Sequence, residues 1–162
     1  MTVFTKGKDA FTYAYDNYID TVYRVAVHNT DSTADAEDIT QEVFVKLLEH
    51  TMPLKGDEHL KAWLIRVTIN LCRDYHRKTS RLDIVESPVP DRPIHDSGND
   101  VLEAVKALPE NYRNTIYLHY YEGYTAKEIG KILGAKESTV LSWMSRGRAS
   151  LKEMIGGFDD EQ

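Results

Sequence analysis

Cysteine is almost absent from this chain, and so are long apolar runs. Cys72 is the only cysteine among the 162 residues, which excludes a disulfide framework. No apolar run is long enough to cross a membrane, and Met1 to Ala10 lack the apolar core of a secretory signal. We therefore expect a cytoplasmic protein without membrane insertion.

Catalytic and metal-binding patterns are missing as well. Neither Cys72 nor the six histidines have the spacing of metal ligands, and no Ser-His-Asp or Cys-His combination is recognisable. We predict no catalytic residue, no metal site and no cofactor, and we expect a protein that is not an enzyme.

Proline is scarce and unevenly spread, with three of the five prolines between residues 79 and 98. That stretch has no helical periodicity, and such a long segment without structure is typical of an interdomain linker. The overall composition, 41% hydrophobic and 28% charged, is that of a globular protein. The expected fold class is all-α, with two small helical domains over residues 1–80 and 99–162 joined by a flexible linker over residues 81–98.

A helix-turn-helix pattern occupies the C-terminal domain. Thr125 and Glu128 form a capping box that starts a short helix, and Gly134 is the left-handed residue expected to end it. Gly130 predicts a close approach between this helix and the next one. The second helix is expected to bury Val140, Met144, Gly147, Leu151 and Ile155. Its outward face carries Thr139, Ser142, Trp143 and Arg146. This face suits a DNA-recognition helix, and an αα-hairpin with a solvated outer face gives the same pattern.

Earlier in the same domain, a helix is expected to turn three large side chains inward. They are Tyr112, Ile116 and Tyr120.

Charge is distributed in blocks along the chain. The net charge of −6 argues against DNA binding by the chain as a whole. Residues 60–81 and 125–152 nevertheless carry +5 and +4, whereas residues 31–50 and 82–103 carry −5 each and residues 153–162 carry −4. Two basic surfaces suggest two DNA contacts, and the acidic segments suit another partner or keep the free protein off DNA.

The N-terminal domain is expected to begin with two helices. The first, over residues 9–29, has an aromatic-rich stripe that we predict to pack in the core: Phe11, Tyr15, Tyr18, Val22, Val25 and Ala26. The second follows the capping pair Ser32 and Asp35, and its inner face holds Ala36, Ile39, Val43 and Leu47. Its acids complement the helix dipole or form a protein-docking face, and residue types alone do not choose between these interpretations.

A third helix carries a basic face and follows an irregular loop predicted at Thr51–Gly56. Its buried side holds Leu60, Leu64, Val67, Leu71 and Tyr75, and its opposite side holds Lys61, Arg66, Asn70, Arg73, Arg77 and Lys78. Such a face suits single-stranded DNA, because cations follow the phosphates and each stacked base contributes about 1–3 kcal/mol. Trp63 fits a stacking platform and a core residue equally well.

Four segments stand in a recognisable order. They are D-A-E-D-I-T-Q-E-V-F, A-W-L-I-R-V-T-I-N-L-C-R-D-Y-H-R-K, L-P-E-N-Y-R-N-T-I-Y-L-H-Y-Y-E-G-Y-T-A-K-E-I-G-K-I-L-G and S-T-V-L-S-W-M-S-R-G-R-A-S-L. Together they resemble the sigma-70 family of bacterial RNA polymerase initiation factors. The resemblance is closest to the extracytoplasmic-function (ECF) group, which keeps only the second and fourth conserved regions.

This resemblance implies partners and site residues. The implied partners are the RNA polymerase core, through its β′ clamp helices and β flap, promoter DNA and an anti-sigma factor. Binding to the polymerase core is implied for Asp35, Asp38, Gln41, Glu42 and Phe44. Contact with the −10 element is implied for Lys61, Trp63, Arg66, Asn70, Arg73, Arg77 and Lys78. Contact with the −35 element is implied for Lys136, Ser138, Thr139, Ser142, Trp143, Arg146 and Arg148.

The recognition helix departs from the family pattern at two positions. The family commonly has T-V-K-S-R-L-S-R-[AG]-R where this chain reads T-V-L-S-W-M-S-R-G-R, so Leu141 and Trp143 replace two cations. The loss of two cations predicts weaker −35 binding with a flatter salt dependence. Packing of Trp143 on a thymine methyl group and a role in an inhibitor interface are two further interpretations, and the sequence does not choose between them.

The expected function is therefore that of a transcription initiation factor that directs polymerase to promoters and assists DNA melting. The alternative is a stand-alone helix-turn-helix regulator that binds DNA as a dimer. Such a regulator has no use for a second basic helix before the linker, whereas a melting factor requires one.

Overall fold

Seven helices form most of the computed structural model within the residues that it describes, 3–82 and 100–155. The chain divides into two compact units, Met1–Asp91 and Arg92–Gln162. The expected all-α fold with two helical domains is confirmed. The predicted linker lies outside the described residues, except that its first two residues belong to a helix ending at Leu82. No helix in the described ranges is both long and apolar enough to span a membrane.

The N-terminal unit is built from three long helices. These are α1 (Gly7–His28), α2 (Thr33–Glu49) and α3 (Asp57–Leu82). The predicted cap of α2 is present, since the Ser32 hydroxyl accepts a hydrogen bond of 3.1 Å from the backbone N–H of Asp35. The core lies where the three helices meet, and its fully buried side chains include Val22, Val43, Leu47, Leu60 and Leu64.

A two-stranded antiparallel sheet joins the chain start to the segment before α3. Strand β1 (Val3–Phe4) pairs with β2 (Leu54–Lys55), with Val3 opposite Lys55 and Phe4 opposite Leu54. The prediction of a wholly irregular loop at Thr51–Gly56 is therefore wrong. The sequence could not reveal this pairing, because two-residue strands have no periodicity and their partners are some fifty positions apart.

The aromatic members of the α1 stripe lie at the edge of the core instead of inside it. Val22, Val25 and Ala26 are buried as predicted, but Tyr15 is 47% exposed. Small residues, among them Ala10 and Ala14, occupy the innermost positions of the first turns. Because α2 crosses close to α1 there, the larger rings are pushed outward to its flank.

Four helices make up the described part of the C-terminal unit. They are α4 (Asp100–Lys106), α5 (Glu110–Tyr120), α6 (Ala126–Leu133) and α7 (Glu137–Met154). Helices α6 and α7 are the predicted helix-turn-helix. On the inner side of α7, Val140, Met144 and Gly147 are buried as expected, while Leu151 and Ile155 are half-buried.

The signals that predicted the turn are all present. The Thr125 hydroxyl accepts from the backbone N–H of Glu128, whose carboxylate accepts from the N–H of Thr125. Gly134 has φ of 72°, a left-handed conformation that glycine adopts without a steric penalty. A Cβ atom on Gly130 would lie 2.5 Å from the Ala135 carbonyl oxygen, so glycine is needed where the turn folds back on α6.

One predicted core residue of this unit is wrong. Tyr120 is 54% exposed, whereas Tyr117 is 3% exposed and Leu118 is fully buried. The hydroxyl of Tyr120 instead accepts a hydrogen bond of 3.1 Å from the Arg148 guanidinium. Successive tyrosines near the end of α5 make the register ambiguous in sequence, and the buried face in fact passes through Tyr117.

Candidate functional site

The outer side of α2 is an acidic face next to an apolar one. Asp38, Gln41 and Glu42 are exposed, while the core residues of the same helix point the other way. Val45 and Leu48 follow on the outer side and are 51% and 47% exposed. The structure therefore places three of the five residues predicted to bind polymerase on a continuous accessible surface.

Asp35 and Phe44, the other two, have partners within the domain. The Asp35 carboxylate accepts a hydrogen bond of 2.6 Å from the Tyr75 hydroxyl of α3, and this bond raises the pKa of Tyr75 to about 12. Phe44 is 5% exposed and packs with its ring centroid 5.8 Å from that of Phe11 and 5.5 Å from that of Tyr15. Asp35 thus joins the acidic face to α3, and Phe44 supports that face from below.

A groove of about 540 Å³ runs between α1 and α2 beside the acidic face. Aromatic side chains of α1 and the outer residues of α2 form its walls. The lining includes Phe11, Tyr15, Tyr23, Gln41, Phe44 and Leu48. The exposed ring of Tyr15 thus belongs to this groove, which borders the face predicted to bind protein.

The basic face of α3 is a row along one side of the helix. Arg66, Asn70, Arg73 and Arg77 follow one another at intervals of four, three and four residues, which places them on one helical face. All but Arg73, which is half-buried, are exposed. Asp74 lies beside the row, 3.8 Å from the Arg77 guanidinium.

Three residues predicted to contact −10 DNA lie beside this row or off it. Lys61 precedes Arg66 by five residues and so lies on another side of α3. Lys78 is exposed, one position round from Arg77. Trp63 is half-buried against the N-terminal core, and its ring centroid is 4.7 Å from that of His50. The packing interpretation of Trp63 therefore holds for the buried part of its ring, and its role as a stacking platform stays a prediction.

Asp57 receives two hydrogen bonds that the sequence did not reveal. Its carboxylate accepts from the hydroxyl of Tyr13 at 2.7 Å and from the hydroxyl of Tyr18, both on α1. The bonds from Tyr18 and Tyr13 lower the pKa of Asp57, and burial together with Asp57 raises the pKa of Tyr18. These bonds fix the start of α3 against α1, directly after the segment that ends at Gly56.

Removing both donors is expected to destabilise the N-terminal domain in a pH-dependent way. The folded pKa of Asp57 lies below its unfolded value, so this contribution is present above a pH of about 3.9 and is lost as pH falls through the folded pKa. A Tyr13→Phe/Tyr18→Phe variant should have a lower melting temperature than the native protein at pH 7. This difference in melting temperature should become smaller below a pH of about 4. Thermal melts over this range measure it, with Tyr15→Phe as the matched control. A difference in melting temperature that stays constant from neutral to acid pH would contradict the stabilising role of these two hydrogen bonds to Asp57.

Helix α7 presents the surface predicted to contact −35 DNA. Lys136, Ser138, Ser142 and Arg146 are exposed, and Thr139 and Trp143 are half-buried. Arg148 is exposed too, but its guanidinium donates to the Tyr120 hydroxyl of α5. By helical spacing, Arg148 shares the flank of Leu141, which is 52% exposed, whereas Thr139, Trp143 and Arg146 share the other flank.

Within the described ranges, no group of three or more His, Cys, Asp or Glu side chains is arranged to hold a metal ion. The candidate site is therefore a set of surfaces: the acidic face with its groove, the basic row of α3 and the outer face of α7.

Family models match both domains. Residues 14–82 match the model described as Sigma-70 region 2, and residues 98–151 match Sigma-70, region 4. The sequence is 32% identical over 157 residues to the ECF RNA polymerase sigma factor SigE of Mycolicibacterium smegmatis, covering 89% of this chain but 61% of SigE. It is 27% identical over 168 residues to the ECF RNA polymerase sigma factor SigW of Bacillus subtilis, covering 91% and 90%.

Two solved structures share the fold. The sigma factor RpoE of Bartonella quintana, in complex with the anti-sigma factor NepR, matches with a TM-score of 0.79 at 23% identity, over 92% of this chain and 98% of that one. CnrH, in complex with the cytosolic domain of CnrY, matches with a TM-score of 0.65 at 22% identity, over 93% and 90%.

Proposed function

The chain belongs to the sigma-70 family of RNA polymerase sigma factors, in its ECF group, and we propose that it is a transcription initiation factor that directs polymerase to specific promoters. In this role it performs no covalent chemistry and acts in the cytoplasm. It binds the polymerase core, recognises the −10 and −35 elements, and assists DNA melting.

The observation that carries this proposal is the exposed basic row of α3. Arg66, Asn70 and Arg77 lie on a domain other than the one with the helix-turn-helix, which supports two separate surfaces for nucleic acid. A duplex reader needs the second surface alone. A factor that also holds a melted strand needs the first, because cations on one helix follow the phosphates of a single strand.

Each of the three surfaces carries out one step of transcription initiation. Asp38, Gln41 and Glu42 on α2 dock on the β′ clamp helices of the polymerase, where an acidic face gains from complementary charge. The basic row of α3 holds the non-template strand at −10, and Asn70 contacts a base taken out of the stack. Unstacking costs a few kcal/mol, which contacts to the released strand offset.

Helix α7 anchors the factor in the major groove at −35. Thr139, Ser142 and Arg146 face the base edges, and Arg148 lies on the flank towards the phosphates. The C-terminal domain also contacts the β flap. Once both domains sit on polymerase, the second DNA contact forms at a high effective concentration, so specific binding appears only in the complex. The net charge of −6 keeps the free protein a weak DNA binder.

An anti-sigma factor is the expected regulatory partner. Both solved relatives are complexes, one of them with a protein named as an anti-sigma factor. The surface that binds polymerase has apolar residues beside its acids, namely Val45 and Leu48, and a competing protein can cover both.

Run-off transcription tests the proposed function. Purified core polymerase is incubated with a pool of promoter fragments, with and without the chain, and binding of the chain alone is scored by gel shift. We expect new start sites only when both proteins are present, and little shift with the chain alone. A strong shift of a palindromic duplex without new starts would instead establish the stand-alone dimeric regulator.

A further inference from the structure

Over residues 136–148, the outward surface at α7 is polar except at two positions. Trp143 is half-buried and Leu141 is 52% exposed, among residues 125–152 with a net charge of +4. An exposed apolar side chain in such a surface contributes nothing to attraction for phosphate. These two residues therefore need an explanation other than charge.

Trp143 and Leu141 lie on opposite flanks of the helix. Trp143 follows Thr139 by four residues and precedes Arg146 by three, so it belongs to the face that presents hydroxyl and guanidinium groups outward. Leu141 precedes Arg148 by seven residues and so lies on the flank where that guanidinium binds Tyr120. Only Trp143 stands among side chains suited to base edges.

Base edges in the major groove offer one prominent apolar group, the C5-methyl of thymine. The half-burial of Trp143 in its own domain leaves only part of its ring accessible, and a ring with two rotatable angles loses little entropy on binding. The positive charge around it favours DNA over an apolar protein surface as the partner.

We propose that Trp143 is a specificity-determining residue that reads a thymine of the −35 element through contact of its indole ring with the C5-methyl group. This inference rests on the proposed function. It assigns Leu141 no part in base reading.

Deoxyuridine provides the test, because it pairs like thymidine and lacks only the methyl group. Each thymine of the −35 element found by run-off transcription is replaced singly, and binding of the complex of core polymerase with the full chain is measured for every duplex. We expect one replacement to weaken binding about fourfold, because a factor of this size corresponds to the burial of one methyl or methylene group. Trp143→Ala should bind the thymine and uracil duplexes alike, whereas Leu141→Ala should keep the fourfold difference.

A second variant covers a failure of Trp143→Ala to fold, which melting curves would reveal. Trp143→Arg adds a cation to the same face, so it should bind all duplexes more tightly, with a steeper salt dependence, and still not distinguish thymine from uracil. The inference would be overturned if the native complex bound every uracil-substituted duplex as tightly as the thymine duplex. It would also be overturned if either Trp143 variant kept the full preference for thymine. Failure of the proposed function looks different, since no polymerase-dependent start would then appear in the pool.

Discussion

Replacing Asp38 with arginine is expected to abolish polymerase-dependent transcription while leaving the fold intact. Asp38 is exposed on the outer side of α2, and its neighbour Ile39 fills the core on the other side. The substitution therefore removes no packing. It places a cation in the face that we propose binds polymerase through negative charge, and like charges brought together in an interface cost several kcal/mol. Binding to core polymerase, measured by fluorescence anisotropy, should weaken at least about a hundredfold.

The matched control is Asp16→Arg, which makes the same change in charge at an exposed position of α1. Near-native transcription is expected from it. If both variants lose activity equally, overall charge and not the face of α2 governs binding, and the docking role of Asp38 is wrong.

The reciprocal variant separates docking from melting. Asn70→Ala changes an exposed residue in the middle of the basic row of α3, so core binding should be unaffected. Open-complex formation, measured through the permanganate reactivity of unpaired thymines, should fall about tenfold for the loss of the proposed base contact. Equal loss of core binding in Asp38→Arg and Asn70→Ala would show that the two surfaces do not act separately.

The parts of this structure that the sequence predicts are set by residues close together in the chain. Three examples are the capping pair of Ser32 and Asp35, the capping box of Thr125 and Glu128, and the left-handed Gly134. Each acts on backbone groups within a few residues, so a short stretch of sequence is enough to identify it.

Contacts between distant residues could not be predicted in this way. Tyr13 and Asp57 are 44 positions apart, and Asp35 and Tyr75 are 40 apart. Neither pair has a pattern, because a tyrosine on an amphipathic helix packs, binds or stays solvated according to what crosses it. The same limit explains Tyr120, whose place in the core Tyr117 takes.

Gly7 shows most clearly what periodicity misses. The apolar pattern predicts a helix from residue 9, yet α1 begins at Gly7, which is buried under the C-terminal end of α2. A Cβ atom there would lie 1.8 Å from the Leu47 carbonyl oxygen and 2.9 Å from the Cβ of His50. The N–H of Gly7 also donates to the His50 carbonyl at 2.9 Å. Only glycine lets the two helices approach this closely.

Gly7→Ala is therefore expected to destabilise the N-terminal domain by about 3 kcal/mol, the upper range for overpacking a close contact. The obstacle is backbone, so the start of α1 must move away from α2, and the hydrogen bond to His50 is lost with it. The loss of stability is measured by chemical denaturation of the full chain, with a spectroscopic probe in each domain to report its unfolding. Lys8→Ala, at the next and exposed position, should alter stability by less than about 0.5 kcal/mol.

The same substitution links stability to function, because His50 packs against Trp63 and precedes the segment that leads into α3. Displacement of His50 should reduce open-complex formation even at temperatures where Gly7→Ala remains folded, while binding of a −35 duplex by the variant chain in complex with polymerase stays native. Native melting activity together with a lower stability would show that the position of His50 does not influence the basic row. An unchanged stability would show that α1 and α2 can separate there at no cost, although a Cβ atom at position 7 would lie 1.8 Å from the Leu47 carbonyl oxygen.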